Sequence, residues 1–223
     1  MSWSKASLKE RRALAWLGKR GVARNVVSPY RRSLVIAGKL GSLHDRLGDL
    51  MAQSLGLGFF DQETLAMIAS NNEHNLQTPV QVIRQLGQDG GGVIMNSGAE
   101  YILNSDNALR IQCVAHRDLR VQRIAQQMGL SMSAAERYID VHDQRTKALR
   151  DKMNVSQLGD DDVYDVVIST SQFSIDQAAS IIVRAYRALD GDRRGMPVKV
   201  LRRVPQSQTA EQNVYAWIKR KDR

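Results

Sequence analysis

One cysteine, Cys113, stands among 223 residues, so no disulfide can close within the chain. Apolar runs are short, and none approaches the roughly eighteen residues that a helix needs to cross a bilayer. The basic opening MSWSKASLKERRALAWLGKRG lacks the continuous apolar segment and small-residue cleavage site of a secretory signal. The expectation is a cytoplasmic protein, at most peripheral at a membrane. Aromatic residues make up only 5%, which leaves few platforms on which the bases of single-stranded nucleic acid could stack. Histidine is sparse too: His44, His74, His116 and His142 lie far apart with no Cys or His at ligand spacing, which argues against a structural zinc site. No metal ligands are assigned. Gly90-Gly91-Gly92 precedes an apolar run instead of joining strand to helix, so it is not a dinucleotide fingerprint.

Positive charge is abundant and unevenly placed. Residues 1–32 hold nine Lys or Arg against one acid, and residues 193–223 hold nine against two, while the middle has 14 basic and 20 acidic residues. An acidic body therefore carries two basic ends. Clustered cations of this kind attract phosphates and carboxylates over about 8 Å at physiological salt. Lys9, Arg11, Arg12, Trp16, Lys19 and Arg20 at one end, with Arg202, Arg203 and Trp217 at the other, are the residues expected to meet an anionic partner. Nucleic acid, an acidic protein and an anionic membrane surface all satisfy that description. Trp16 lies in a weakly amphipathic basic stretch suited to an interface. Trp217, flanked by Val214 and Ile218, has the composition of a protein contact, and a second copy of the chain is a further candidate partner.

Between the ends, SLVIA (33–37), LGFF ending at Phe60, GVIMN (92–96), LRIQCVA (109–115) and YDVVIS (164–169) have the length and composition of strands buried on both faces. Helical periodicity fills the gaps over 44–55, 62–70, 79–86, 117–128, 133–153 and 175–189. Ser133 to Glu136 and Ser174 to Gln177 both read as capping boxes. Pro79 suits a first helical position, and Gly56, Gly129 and Gly191 suit the residue after a helix. Asp160-Asp161-Asp162 reads as a solvated loop, and Cys113 as a small buried hydrophobe. Such alternation predicts a three-layer α/β domain with a five-stranded parallel sheet over 33–190, flanked by basic extensions over 1–32 and 191–223.

The order of motifs resembles the cytidylate kinase-like family of P-loop proteins. Gly41-Ser42 opens the glycine-rich loop, Leu55-Gly56 closes the following helix, and Phe59-Phe60-Asp61 matches the aromatic-aromatic-Asp element. Asn96-Ser97-Gly98-Ala99 takes the place of the family's G-R-G-A, and HRDLRVQRIAQQMGLSMSAAE looks like its lid. The resemblance implies phosphoryl transfer from ATP, with magnesium, to a nucleoside monophosphate. It implies nucleotide contacts at Lys39, Gly41, Ser42, Arg46 and Asp61, and catalytic lid cations at Arg145, Lys147 and Arg150. Set against G-S-G-G-R without gaps, however, the loop reads Gly41-Ser42-Leu43-His44-Asp45, which puts side chains on two glycines and a carboxylate at the basic position. A slip of one residue would place Arg46 there instead. Asp61 reads equally as the cap of a helix starting at Gln62, and the lid cations as a solvated face. Three outcomes follow: a divergent fold with weakened transfer acting as a binding module, an active nucleoside monophosphate kinase, or a nucleotide sensor.

Overall fold

The computed structural model describes residues 32–70, 78–152 and 160–191. Apart from Arg32 and Gly191, the two basic extensions, with all nine residues expected to meet a partner, lie outside the described residues. Five strands, β1 (Ser33–Gly38), β2 (Gly58–Phe60), β3 (Gly92–Met95), β4 (Ala108–Val114) and β5 (Val166–Ser169), form one sheet in the order β2-β3-β1-β4-β5. Every pairing is parallel. Parallel neighbours need helical crossovers, and the chain supplies them as α1 (His44–Leu55), α2 (Gln62–Ser70), α3 (Pro79–Asp89), α4 (Ala99–Ile102), α5 (Arg117–Met128), α6 (Met132–Lys152), α7 (Asp160–Val163) and α8 (Ile175–Gly191). This is a three-layer α/β domain with a five-stranded parallel sheet.

Alternation along β1 divides the core. Val35 faces α2 and α3, packing with Leu65, Ile68, Ile83, Leu86 and Ile94. Leu34 and Ile36 face α1 and α8, packing with Leu47, Met51, Ile182 and Tyr186. A third cluster, Val121, Ile124, Ala125, Ala135 and Ile139, joins α5 to α6 and forms a helical hairpin beside the sheet. Because β1 pairs with β3 on one side and β4 on the other, its carboxyl end opens into the crevice where ligands of such sheets bind.

Local chemistry explains the boundaries, including those that differ from the sequence expectation. Ser174 and Gln177 do exchange capping bonds, Ser174 Oγ accepting at 3.2 Å and Gln177 Oε1 at 2.9 Å. Pro79 opens α3 behind Thr78, while Gly56 and Gly129 take left-handed caps. The second capping box does not form. Ser131 accepts from Ala134 N at 3.3 Å, α6 starts at Met132, and Glu136 is drawn to Arg117 at 2.5 Å instead of reaching back. Asp160-Asp161-Asp162 is a turn of helix, not a loop, and β5 begins two residues after Tyr164. Helix α8 runs on through Gly191, and α4, too short for periodicity to reveal, follows β3. Cys113 is buried in β4 as expected.

Candidate functional site

The loop from Lys39 to Leu43 sits at the carboxyl end of β1, between strand and helix, where a phosphate cradle belongs. Gly41 has φ of 80°, and a Cβ there would lie 2.8 Å from the Arg120 carbonyl, so only glycine fits between loop and α5. Leu43 also takes the left-handed region, φ 62°, immediately before α1. The left-handed bend before the helix sets a frame that a gap-free alignment of glycines misses. Gly38, Leu43, His44 and Asp45 fall on the positions of G-x-x-x-x-G-K-[ST], one residue away from the sequence reading. His44 thus stands where the pattern has lysine, and Asp45 where it has the magnesium-binding hydroxyl.

His44 is 4% exposed, and both ring nitrogens are engaged. Nδ1 lies 3.1 Å from Ser42 Oγ, and Nε2 lies 2.5 Å from Asn96 Nδ2 and 3.1 Å from an Asp45 carboxylate oxygen. Asn96 has its amide orientation fixed by backbone: Gly38 N donates to its Oδ1 at 2.9 Å, and its Nδ2 donates to the Gly38 carbonyl at 3.3 Å. Nε2 therefore accepts from Asn96, and the proton on Nδ1 goes to Ser42. A proton on Nε2 would serve Asp45 at the expense of Asn96. This side-chain bridge ties the ends of β1 and β3 together across the crevice. Asn96 reaches it from a left-handed position, φ 40°, which asparagine tolerates better than most residues.

The loop's carbonyls are fastened from the other side. Arg120, 4% exposed, donates to the Leu40 carbonyl at 2.7 Å and grips Asp143 of α6 with both terminal nitrogens, at 2.9 and 2.7 Å. Arg123 donates to the Gly41 carbonyl at 3.0 Å and to Thr170, whose hydroxyl donates to the Ser42 carbonyl at 2.9 Å. Partial burial lowers the Arg123 pKa. Arg117, at the start of α5, bridges Glu136 and Asp140 of α6, and those two carboxylates raise its pKa. Three arginines of the hairpin are thus held by the protein's own acids and carbonyls.

The residues expected from sequence fall in different places. Gly41 and Ser42 line the loop, with Ser42 fully buried, while Lys39 and Arg46 are exposed at its rim. Asp61 accepts from Thr64 N at 2.9 Å and Thr64 Oγ1 at 2.7 Å, which makes it the cap of α2. On α6, Arg145 and Lys147 are exposed, whereas Arg150 is half-buried and turns toward Glu100 of α4. Burial raises the Glu100 carboxyl pKa above its ordinary range, opposed in part by Arg150, a Tyr164 hydroxyl 3.5 Å away and Arg110. Among the described residues, Oε2 of Glu100 and Oγ of nearby Ser97 are buried without hydrogen-bond partners. His142 has its pKa lowered by burial first, with Arg120, Arg145 and His44 pushing the same way against Asp143. Arg120, which holds both the Leu40 carbonyl and Asp143, brings the middle of α6 beside the loop. Sequence reading marked His44 and Asn96 only as departures from the family's motifs and missed their bond to each other, while Arg120, Arg123 and Thr170 escaped it; a cue for the arginines was the Arg117, Arg120, Arg123 spacing, which lines one side of a helix.

Residues 72–172 match the sequence model of the cytidylate kinase-like family. That segment, a little under half of the chain, is similar to the family. The matched segment begins beyond the glycine loop and α2. A crystal structure of an uncharacterized protein from Eubacterium ventriosum ATCC 27560 has a TM-score of 0.62 at 19% identity, covering 70% of this chain and 99% of that one, which shows a shared fold. A shikimate kinase from Acinetobacter baumannii, solved with shikimate, gives a TM-score of 0.43 at 15% identity over 69% and 92%. A uronate isomerase of Corynebacterium glutamicum is 25% identical over 126 residues, 56% of this chain and 24% of that protein. The chain thus spans about a quarter of the length of that curated relative.

Proposed function

We propose that this cytidylate kinase-like chain has lost efficient phosphoryl transfer and works as a binding module, with the domain over 33–190 as its scaffold. The observation that carries this reading is His44. Phosphoryl transfer needs a cation held against the donor phosphates and open backbone N–H groups around them. Here the lysine position holds a buried imidazole bonded to Ser42 and Asn96, and a leucine side chain occupies the last glycine position. Asp45, in the first turn of α1, places its own carboxylate where the helix N-terminus would favour a bound anion. ATP with magnesium, the cofactor pair the family implies, does not fit this loop as it stands. Two arginines of the hairpin, Arg117 and Arg120, are engaged by Glu136, Asp140 and Asp143, while Arg145 and Lys147 stay exposed on α6.

The basic ends, through Lys9, Arg11, Arg12, Lys19, Arg20, Arg202 and Arg203, then recruit the anionic partner. Calorimetric titration with ATP or CMP, with and without magnesium, is expected to show no saturable binding at micromolar ligand. Saturation in that range, with ADP release on adding CMP, overturns the proposal in favour of an active kinase. Asp45 favours a second reading, since it offers magnesium an oxygen ligand, and exposed Lys39 and Arg46 stand close by in sequence. Tight ATP binding without turnover would mark a sensor.

A further inference from the structure

Helix α6 has two faces of different fates. Ala135 and Ile139 are buried against α5, while Glu136, Asp140 and Asp143 hold Arg117 and Arg120 on the same side. Pointing away from α5, Ala134, Tyr138, Val141, Arg145 and Ala148 recur at spacings of four, three, four and three residues, the period at which side chains form one straight seam. Tyr138 and Val141 are 45% and 47% exposed, and Arg145 and Ala148 are exposed as well. An aromatic and a branched aliphatic residue, one turn apart, stand at the centre of this seam.

The order of residues along this seam is self-complementary. We propose that it pairs with the same seam of a second copy of this chain, antiparallel, about a two-fold axis passing at Val141. In that arrangement Val141 meets the second copy's Val141, Tyr138 faces the second copy's Arg145, and Ala134 faces the second copy's Ala148. A guanidinium over a tyrosine ring is an attractive pair, and the two-fold axis forms it twice. The edges agree. Rotation about an axis normal to the plane of the two helices keeps each edge of the seam against its own equivalent, and Tyr138 and Arg145 share one edge. The other edge carries Arg137 and Gln144, which stand at matching levels across the axis and are both exposed. Alanine at each end of the seam lets the axes approach to about 8 to 10 Å. One seam buries less than the roughly 800 Å² per partner typical of tight complexes, so the dimer is weak, with dissociation in the micromolar range.

Sedimentation velocity of the full chain from about 1 to several hundred micromolar is expected to show a reversible dimer. Val141→Cys, oxidised, should give a covalent dimer faster than Ser180→Cys on exposed α8, with buried Cys113 contributing little background. Tyr138→Arg should weaken the dimer on the order of tenfold, because it sets arginine against arginine twice. The double exchange Tyr138→Arg with Arg145→Tyr restores the pairing and should regain the dimer. All these side chains are exposed, so folding, followed by circular dichroism, is expected to persist. A monomer across the whole range, crosslinking of the Val141→Cys variant no faster than that of Ser180→Cys, or a double exchange no better than the single one overturns the proposal. The seam would then belong to another occupant, such as the chain's own basic ends or a different protein.

Discussion

At the scale of single residues, His44 does two jobs that are separable by mutation. It fills the loop, and its ring satisfies Ser42 and Asn96 at a buried position. His44→Ala removes the Ser42 hydroxyl's ring partner and one acceptor of Asn96 Nδ2, which keeps its bonds to Gly38, and should lower stability by about 1 to 3 kcal/mol in urea unfolding. Leu43→Gly with His44→Lys supplies the glycine and cation that the strand–loop–helix pattern calls for, and should gain ATP binding measurable by calorimetry. If that variant folds and still ignores ATP, the filled loop is not what keeps nucleotide out. Glu100 gives a pH signature. Its carboxyl pKa is raised in the folded protein above the ordinary value of 4.5, so the native state holds the proton more tightly than the unfolded chain. The stability this contributes is present in full below 4.5 and is lost as pH rises through the elevated folded value. Thermal melts should therefore fall with rising pH over that window, and Glu100→Gln, permanently neutral, should flatten the fall. Gly41 and Ser42 were legible in sequence because loop glycines leave a mark. Histidine at 44 leaves none, since its anchor Asn96 lies 52 residues away and only the fold brings them together.

At the scale of elements, the sheet and most helices could be read from periodicity, because strands buried on both faces give uninterrupted apolar runs. Capping was readable where side chains had no rival. Ser174 and Gln177 form their box, whereas Glu136 faces an arginine from another helix and abandons its own. The hairpin of α5 and α6 shows how burial separates two similar ion pairs. Arg120 and Asp143 have side chains only 5% and 28% exposed, and Arg120 also holds the Leu40 carbonyl. Arg120→Ala strands a carboxylate and frees the loop, and should cost about 3 to 5 kcal/mol, little relieved by salt. Arg117, with nearly half its side chain in solvent, should be removable without a measurable change in unfolding midpoint, even though it makes two bonds as short. Equal losses from the two variants would mean that geometry, and not burial, sets the value of these pairs.

At the scale of the whole molecule, charge is arranged by segment. The middle of the chain carries six more acids than bases, and each end carries a large positive excess, so the net charge of +9 hides two opposing fields. If the ends exist to recruit an anion, affinity for a polyanion such as heparin should fall linearly on a log–log plot against salt, and removing residues 1–31 should reduce the slope. Removing residues 192–223 as well should abolish retention, since the remaining body has the sign of the ligand. Thermal stability of the shortened chain discriminates further. Ends that serve only an external partner can be cut without changing the melting temperature of the domain. Ends that fold back onto the acidic body would lower it when cut, and more at low salt, where screening is weakest. An unchanged salt slope after both deletions would place the anion site on the domain itself, at Lys39, Arg46 and the exposed lid cations, and would reopen the loop as a phosphate site.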